Sequence, residues 1–259
     1  EFRRVLFRSF KVSAAKLEAA ITPKTKLLLF SSPCNPSGSV LSRAEIEAWK
    51  DVLVKHPHIF ILSDEIYEKI NYAGKHCSLA EYPELKDRIA VINGLSKGYA
   101  MTGWRMGYLA GPKELVAACD KIQGLMTSGA SSVSQMASVT ALEGPQDCVI
   151  DMKNVFEQRR NTFHAALSSI PNLPCNLPDG AFYLFPDVSY YLGMKTPDGK
   201  VVNTADELCL YLLDQGHVSA VSGEAFGHAN CVRFSYAASE EQLQKAGQRI
   251  AAVLKNLSH

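Results

Sequence analysis

The chain has 259 residues, of which 47% are hydrophobic and 20% charged, and its 27 basic and 26 acidic side chains leave a net charge of +1. This length and composition are typical of a globular protein with one large domain or two smaller ones. The near-zero charge argues against a nucleic-acid-binding protein, whose surface is basic. Because no stretch of about 18 uninterrupted apolar residues occurs, a membrane is not expected as a partner either.

The seven cysteines stand singly, and no two of them form a C-x-x-C pair. An odd, dispersed set predicts reduced thiols, and therefore a cytoplasmic protein. Organellar targeting stays open, because the chain begins at Glu1 without a methionine. The histidines show no spacing typical of metal ligands, so the sequence predicts no metal site.

The first half of the chain alternates short apolar runs with polar segments. Three runs predict strands, at residues 26–30, 58–62 and 89–92. Between the first two, Ser42-Arg-Ala-Glu45 is a capping box that opens an amphipathic helix to about Lys55. Strand, helix and strand at this spacing predict a mostly parallel sheet. A fourth run at 106–110 follows too closely for a helical crossover, so it should run antiparallel or lie elsewhere in the sheet.

The second half of the chain predicts helices followed by a different kind of domain. A helical pattern follows Pro112, and residues 146–169 predict a long helix. Short strands are then predicted at residues 181–185, 218–221 and 231–236. A capping box at Ser239 opens a closing helix that ends near Leu257. These features predict a second domain of the α+β class.

Polar segments follow each of the three predicted parallel strands. They read Ser31-Ser-Pro-Cys-Asn-Pro-Ser-Gly38, Ser63-Asp-Glu-Ile-Tyr67 and Asn93-Gly-Leu-Ser-Lys97. Ligands bind at the carboxyl ends of the strands in open α/β sheets, so we expect a binding site where these segments meet. The side chains expected there are Asn35, Asp64, Tyr67 and Lys97. Neither the dinucleotide-binding glycine motif nor the P-loop motif is present.

The chemistry of these side chains favours one cofactor. A sheltered lysine such as Lys97 can act as a nucleophilic amine that forms Schiff bases with carbonyls, including that of pyridoxal phosphate. Arg105 offers a rigid, permanently charged group suited to a phosphate. Asp64 is the partner that such a cofactor needs at its pyridine nitrogen.

Four motifs occur in the order found in one enzyme family. Gly94-Leu-Ser-Lys-Gly-Tyr-Ala-Met-Thr-Gly-Trp-Arg-Met-Gly107 resembles the lysine-attachment motif of class I aminotransferases, which are fold-type I pyridoxal phosphate enzymes. Asn35-Pro-Ser-Gly38 is similar to their N-P-T-G turn, with Ser37 in place of Thr. Asp64-Glu-Ile-Tyr67 and Arg233-Phe-Ser-Tyr236 match two further motifs. Met101-Thr-Gly-Trp-Arg105 looks most like the bacterial-type aspartate aminotransferase subgroup, Ib.

The resemblance implies how the cofactor is held. Lys97 would form a Schiff base with pyridoxal phosphate and shuttle a proton during the reaction. Asp64 would keep the pyridine nitrogen protonated, so that the ring withdraws electrons. Tyr67 and Asn35 would donate hydrogen bonds to the ring's O3′. Lys97, Asp64 and Tyr67 are thus the predicted catalytic residues.

The resemblance also implies the sites for the phosphate and the substrate. Arg105 and Ser96 would hold the cofactor phosphate. Arg233, together with Asn35, would bind the α-carboxylate of the substrate and so fix which bond of Cα lies perpendicular to the ring.

The resemblance further implies the fold and the domain limits. We expect an α/β fold with the mostly parallel sheet of the pyridoxal phosphate transferase large domain, truncated at its N-terminal side, and a smaller α+β domain. The predicted limits are a leader over residues 1–9 that does not resemble the family, a partial large domain over 10–158 and a small domain over 159–259. Because groups of the family's N-terminal region and of its homodimer partner are missing, we expect this fragment to be inactive alone.

The resemblance implies an aminotransferase that uses an amino acid and a 2-oxo acid, with aspartate and 2-oxoglutarate as the expected pair. An aromatic or kynurenine-type transaminase, or a C–S β-lyase, would keep the cofactor and change the reaction. A non-catalytic regulatory module on the same fold is a more distant alternative, because a binding role needs no electron-withdrawing ring.

Overall fold

The computed structural model of the chain describes residues 10–258, which form two compact units. The sheet unit comprises Lys11–Cys34 and Ser39–Lys153. The C-terminal unit comprises Phe10, the short segment Asn35–Gly38 and residues 154–258. The leader predicted over residues 1–9 lies outside the described residues. The boundary predicted between residues 158 and 159 stays a prediction.

Four strands build the sheet of the sheet unit. They are β1 (Leu27–Ser31), β2 (Phe60–Asp64), β3 (Ile89–Gly94) and β4 (Gly107–Ala110), and they lie side by side in that order. The first three are parallel, with Ser31 opposite Asp64 and Asp64 opposite Ile92. β4 is antiparallel to β3, which is one of the two arrangements expected for it. The predicted mostly parallel sheet is confirmed.

Five α-helices begin in the described residues of the sheet unit, and the first two of them contribute buried apolar side chains to its core. The five are α1 (Ala14–Ala20), α2 (Arg43–Val54), α3 (Lys113–Thr127), α4 (Ser132–Glu143) and α5 (Asp147–Ser168), which continues into the C-terminal unit. α2 begins at the predicted capping box: Glu45 N donates to Ser42 Oγ at 3.3 Å, and Ser42 N donates to the Glu45 carboxylate at 2.7 Å. Ile46, Trp49 and Leu53 on its apolar face are buried in the core.

The C-terminal unit contains short strands and two helices besides the end of α5. The elements are β5 (Tyr183–Leu184), β6 (Met194–Lys195), β7 (Val201–Val202), α6 (Ala205–Gly216), β8 (Val221–Ser222), β9 (Val232–Ser235) and α7 (Glu240–Lys255). β9 lies between β5 and β8 in an antiparallel sheet, and β6 pairs with β7. The sequence did not predict α6, although Leu208 and Leu212 repeat at helical spacing after its N-cap, Thr204. Within residues 10–258, none of the helices combines the length and apolarity needed to cross a membrane.

Candidate active site

The carboxyl ends of β2 and β3 carry three of the predicted site residues. Asp64 is the last residue of β2, and Tyr67 lies in the turn that follows. Lys97 lies in the turn after β3. Because β2 and β3 are parallel neighbours, both turns leave the same edge of the sheet. Lys97 Nζ lies 6.0 Å from the centroid of the Tyr67 ring, so the sheet unit brings the amine and the phenol together.

The burial of these side chains differs. Tyr67 is buried, whereas Asp64 and Lys97 are half-buried. Asp64 Oδ1 accepts a hydrogen bond from Ile66 N at 3.1 Å. Among residues 10–258 no lysine, arginine or histidine forms an ion pair with Asp64. A partly desolvated carboxylate without a cationic partner is suited to receive a positively charged group of a ligand.

The turn that carries Lys97 is held by its own backbone and by the neighbouring strand. Tyr99 N and Met101 N both donate to Leu95 O, at 3.2 and 3.3 Å. At the end of β3, a side chain on Gly94 would come within 2.9 Å of the backbone of β4. Glycine at this position therefore lets β4 pack closely beside the lysine-bearing turn.

The residues predicted to bind phosphate lie on either side of this turn. Ser96 is half-buried and directly precedes Lys97. Arg105 is exposed, has a left-handed backbone with φ of +53°, and donates from Nη1 to Thr102 O at 3.0 Å. It lines a cleft of about 900 Å³ with Trp104 and residues of α3. Trp104 is 45% exposed and is therefore not part of the core of this chain.

The predicted substrate-binding residues meet within the C-terminal unit. Arg233 Nη1 donates to Asn35 Oδ1 at 2.8 Å, although 198 positions separate the two in the sequence. Arg233 lies on β9, where Val232 and Phe234 point into the core and Arg233 points to the other face. Its Cζ lies 4.6 Å from the ring centroid of Tyr183 and 4.8 Å from that of Phe226.

The segment that carries Asn35 is fixed by hydrogen bonds that its backbone carbonyls accept. Gly180 N donates to Gly38 O at 2.9 Å, and Asn176 Nδ2 donates to Ser37 O at 3.3 Å. Gly38 has a φ of +66°, and a Cβ there would lie 2.3 Å from Pro178 Cβ. The glycine that ends the N-P-S-G turn is thus required by both backbone conformation and close packing.

Sequence reasoning missed a buried carboxylate beside the site. Glu65 is only 4% exposed, and it accepts hydrogen bonds from Ser63 Oγ at 2.9 Å and Ser78 Oγ at 2.5 Å. Its second oxygen lies 2.8 Å from His76 Nε2. Glu65, Glu68 and His76 place three potential metal-ligand atoms within 4.8 Å of one another. We assign no metal to them, because the hydrogen bonds already satisfy Glu65.

Three of the cysteines are too well shielded from solvent to be reactive nucleophiles. All seven are free thiols. Burial raises the pKa of Cys175 to about 12, that of Cys231 to about 12 and that of Cys209 to about 11. These thiols stay protonated at neutral pH and are poor nucleophiles.

Known proteins match this chain over nearly its whole length. The sequence profile of the family "Aminotransferase class I and II" matches residues 1–250. The aspartate aminotransferase of Rhizobium meliloti (strain 1021) is 46% identical over 251 residues, which are 96% of this chain and 61% of that protein. The prediction that the chain is shorter than its relatives is confirmed.

Solved structures of aminotransferases are also similar to this chain. The crystal structure of the aspartate aminotransferase from Rhizobium meliloti matches with a TM-score of 0.91 and 46% identity, over 96% of this chain and 63% of that one. The aromatic aminotransferase from Pyrococcus horikoshii OT3 matches with a TM-score of 0.86 and 32% identity, over 95% of this chain and 64% of that one. The four motifs, the fold and the extent of the profile match agree, and the chain belongs to the aminotransferase class I and II family.

Proposed function

We propose that the whole protein is an aminotransferase that moves an amino group between an L-amino acid and a 2-oxo acid, with pyridoxal phosphate as its cofactor. Aspartate and 2-oxoglutarate are the proposed pair. The observation that carries the proposal is the meeting of Lys97, Tyr67 and Asp64 at the ends of two parallel strands. The 46% identity to an aspartate aminotransferase supports the choice of substrates.

The side chains of the sheet unit fit the cofactor in chemical type. Lys97 offers an amine for its aldehyde, and the half-buried Asp64, which forms no ion pair within residues 10–258, offers a carboxylate for its ring nitrogen. Arg105 and Ser96 offer a cation and a hydroxyl for its phosphate. When bound, pyridoxal phosphate supplies an aldehyde that condenses with amines and a ring that withdraws electrons from the adjacent carbon.

The residues of the sheet unit then have separate tasks. Lys97 Nζ would accept and carry the proton that leaves Cα of the substrate. The Asp64 carboxylate would accept a hydrogen bond from the protonated ring nitrogen. The hydroxyl of the buried Tyr67 would donate a hydrogen bond to the ring oxygen.

Arg233 and Asn35 are proposed to bind the substrate. A guanidinium binds a carboxylate through two parallel N–H donors, which fixes both the position and the orientation of the bound group. That orientation decides which bond of Cα is broken, because the reacting bond must stand perpendicular to the ring. Asn35 already accepts a hydrogen bond from Arg233 Nη1, so each of the two side chains fixes the position of the other.

An aromatic transaminase is the second candidate. It is supported by the 32% identity and TM-score of 0.86 to the aromatic aminotransferase from Pyrococcus horikoshii OT3. Lys97 and Arg233 would act on Cα and the α-carboxylate, which all amino acids share, so they do not distinguish side chains. We rank aspartate first because the identity to the aspartate enzyme is higher.

The experiment that tests the function uses the full-length protein with a panel of amino acids and 2-oxo acids. We expect turnover of aspartate with 2-oxoglutarate that depends on added pyridoxal phosphate. Turnover of aromatic amino acids alone would replace the substrate pair, and elimination of thiol from a cysteine conjugate would indicate a β-lyase. Cofactor binding without turnover of any pair would instead support a regulatory module.

The 259-residue chain itself is proposed to bind the cofactor weakly and to have little activity. Its relatives have more than a third of their length outside the matched region. Titration of the purified chain with pyridoxal phosphate tests this proposal, and tight, saturable binding would contradict it.

We further propose that the whole protein is a cytoplasmic homodimer.

A further inference from the structure

The guanidinium of Arg233 has an unusual environment for a ligand-binding cation. Its Cζ lies 4.6 Å from the centroid of Tyr183 and 4.8 Å from that of Phe226, so two aromatic rings contact one charge. Asn35 Oδ1 accepts from Nη1 at 2.8 Å. All four side chains belong to the C-terminal unit.

These contacts use different parts of the guanidinium. An aromatic ring attracts a cation through its π face and accepts no conventional hydrogen bond, so stacking leaves the in-plane N–H donors available. Arg has five such donors, and Asn35 uses one of them. A carboxylate binds in the plane of the guanidinium, where the remaining donors point. The two rings and Asn35 together restrict the movement of the guanidinium.

Both rings are held by elements other than the Arg233 side chain. Tyr183 is buried on β5, opposite Ser235 of β9, which places it beside the strand that carries Arg233. Phe226 ends the short helical turn Gly223–Phe226 and packs edge-on against Phe185 at 6.3 Å. The two rings are therefore fixed before any ligand arrives.

We propose that Tyr183 and Phe226 are positioning residues that hold the guanidinium of Arg233 in the plane in which it binds the substrate carboxylate. This inference rests on the proposed function, because it takes Arg233 as the carboxylate-binding residue. Ordering the cation in advance reduces the entropy lost when the substrate binds.

The first measurement asks whether the rings order Arg233 in solution. In NMR spectra of the 259-residue chain, the Hδ and Nε–Hε protons of Arg233 should be shifted upfield by the two rings. Tyr183→Leu and Phe226→Leu should each return these resonances toward ordinary arginine values, whereas Tyr183→Phe and Phe226→Tyr should keep them shifted. Ordinary arginine shifts in the wild-type chain would overturn the proposal.

The second measurement asks whether the rings matter for a carboxylate, with 2-oxoglutarate as the probe in an NMR titration. We expect each leucine variant to weaken binding by about three- to thirty-fold, the range of a single cation–π contact, and each aromatic variant to restore it. Phe163→Leu is the matched control: its buried ring packs against Phe234, and its loss should leave the Kd unchanged.

The reference variant Arg233→Leu separates this inference from the proposed function. If Arg233→Leu loses binding while Tyr183→Leu and Phe226→Leu bind like the wild type, the positioning role is wrong and the function proposed for Arg233 stands. If Arg233→Leu and the wild-type chain bind the probe alike, Arg233 is not the carboxylate-binding residue, and the positioning role falls with it.

Discussion

The two units of the chain differ in how completely they bury their apolar side chains. In the sheet unit, α3 has no buried residue, and Leu125 and Met126 are 81% and 78% exposed. In the C-terminal unit, α7 buries Leu243, Ile250 and Leu254 along one face. Both helices are amphipathic, so the difference lies in whether another element covers the apolar face.

The two proposed tasks, binding of the substrate carboxylate and binding of the cofactor, belong to these two different units. The C-terminal unit orders Arg233 and Asn35 through contacts within the unit. The sheet unit presents Lys97 and Asp64 on a scaffold that leaves a large apolar surface exposed, and such surfaces mark binding or association sites. We therefore expect carboxylate recognition to be the more self-sufficient of the two tasks.

The largest effect expected is at Lys97. Lys97→Ala should lower transamination by the full-length protein by at least about 10²–10⁴-fold, since a positioned proton-transfer group contributes that much. In the 259-residue chain, borohydride reduction in the presence of pyridoxal phosphate should label Lys97 first, as read by peptide mass mapping.

The matched control for Lys97 is the exposed Lys69, whose stem lies beside Gly98. Lys69→Ala should keep both the activity and the labelling of Lys97. Equal labelling of Lys69 and Lys97 in the wild-type chain would show that the sheet unit does not distinguish the two lysines. Undiminished total labelling of the Lys97→Ala variant would reject the role of Lys97.

The sequence predicted the features that depend on local patterns. The strands of the parallel sheet, the capping box at Ser42 and the motif around Lys97 are each set by residues within a few positions of one another. The burial of Glu65 was not predictable in this way, because His76 and Ser78 reach it from the far end of an irregular loop.

The surroundings of Arg233 could be predicted only in part. The motif resemblance indicated Arg233 and Asn35, and their hydrogen bond is present. Nothing in the sequence connects Tyr183 or Phe226 to this arginine. Tyr183 lies 50 positions before Arg233 and reaches it by strand pairing, and Phe226 lies 7 positions before it and reaches it through a turn.

The next prediction compares two leucines of the sheet unit. Leu53 on α2 is fully buried, so Leu53→Ala should lower the free energy of unfolding by about 2–5 kcal/mol. Leu125 on α3 is mostly exposed, so Leu125→Ala should change it by less than about 0.5 kcal/mol. Urea titrations of both variants measure this. A cost for Leu125→Ala near that of Leu53→Ala would show that α3 is covered in solution, and the contrast between the units would disappear.

A smaller effect is expected in the segment that carries Asn35. The Cβ added by Gly38→Ala would lie 2.3 Å from Pro178 Cβ, and the backbone there has a strained φ of +66°. The Cβ added by Gly74→Ala, at a φ of +116°, would have no atom within 4 Å. We expect Gly38→Ala to cost about 1–3 kcal/mol more than Gly74→Ala, as overpacking does. It should also weaken 2-oxoglutarate binding, because Asn35 shifts with the segment. Equal costs would show that backbone strain alone explains the glycine.

The smallest effect is a pH dependence confined to the sheet unit. The hydrogen bond from Ser78 N, together with the side chain of Arg43, holds the pKa of Glu81 below its ordinary value despite some desolvation. A carboxylate whose pKa is lower in the folded state stabilises the protein above its unfolded pKa, near 4.3, and loses that contribution as the pH falls through the folded pKa. Glu81→Gln should therefore flatten the fall in stability between about pH 5 and pH 3. Glu84→Gln, at an exposed position three residues on, should leave the fall unchanged, and an identical profile for both variants would contradict the assignment.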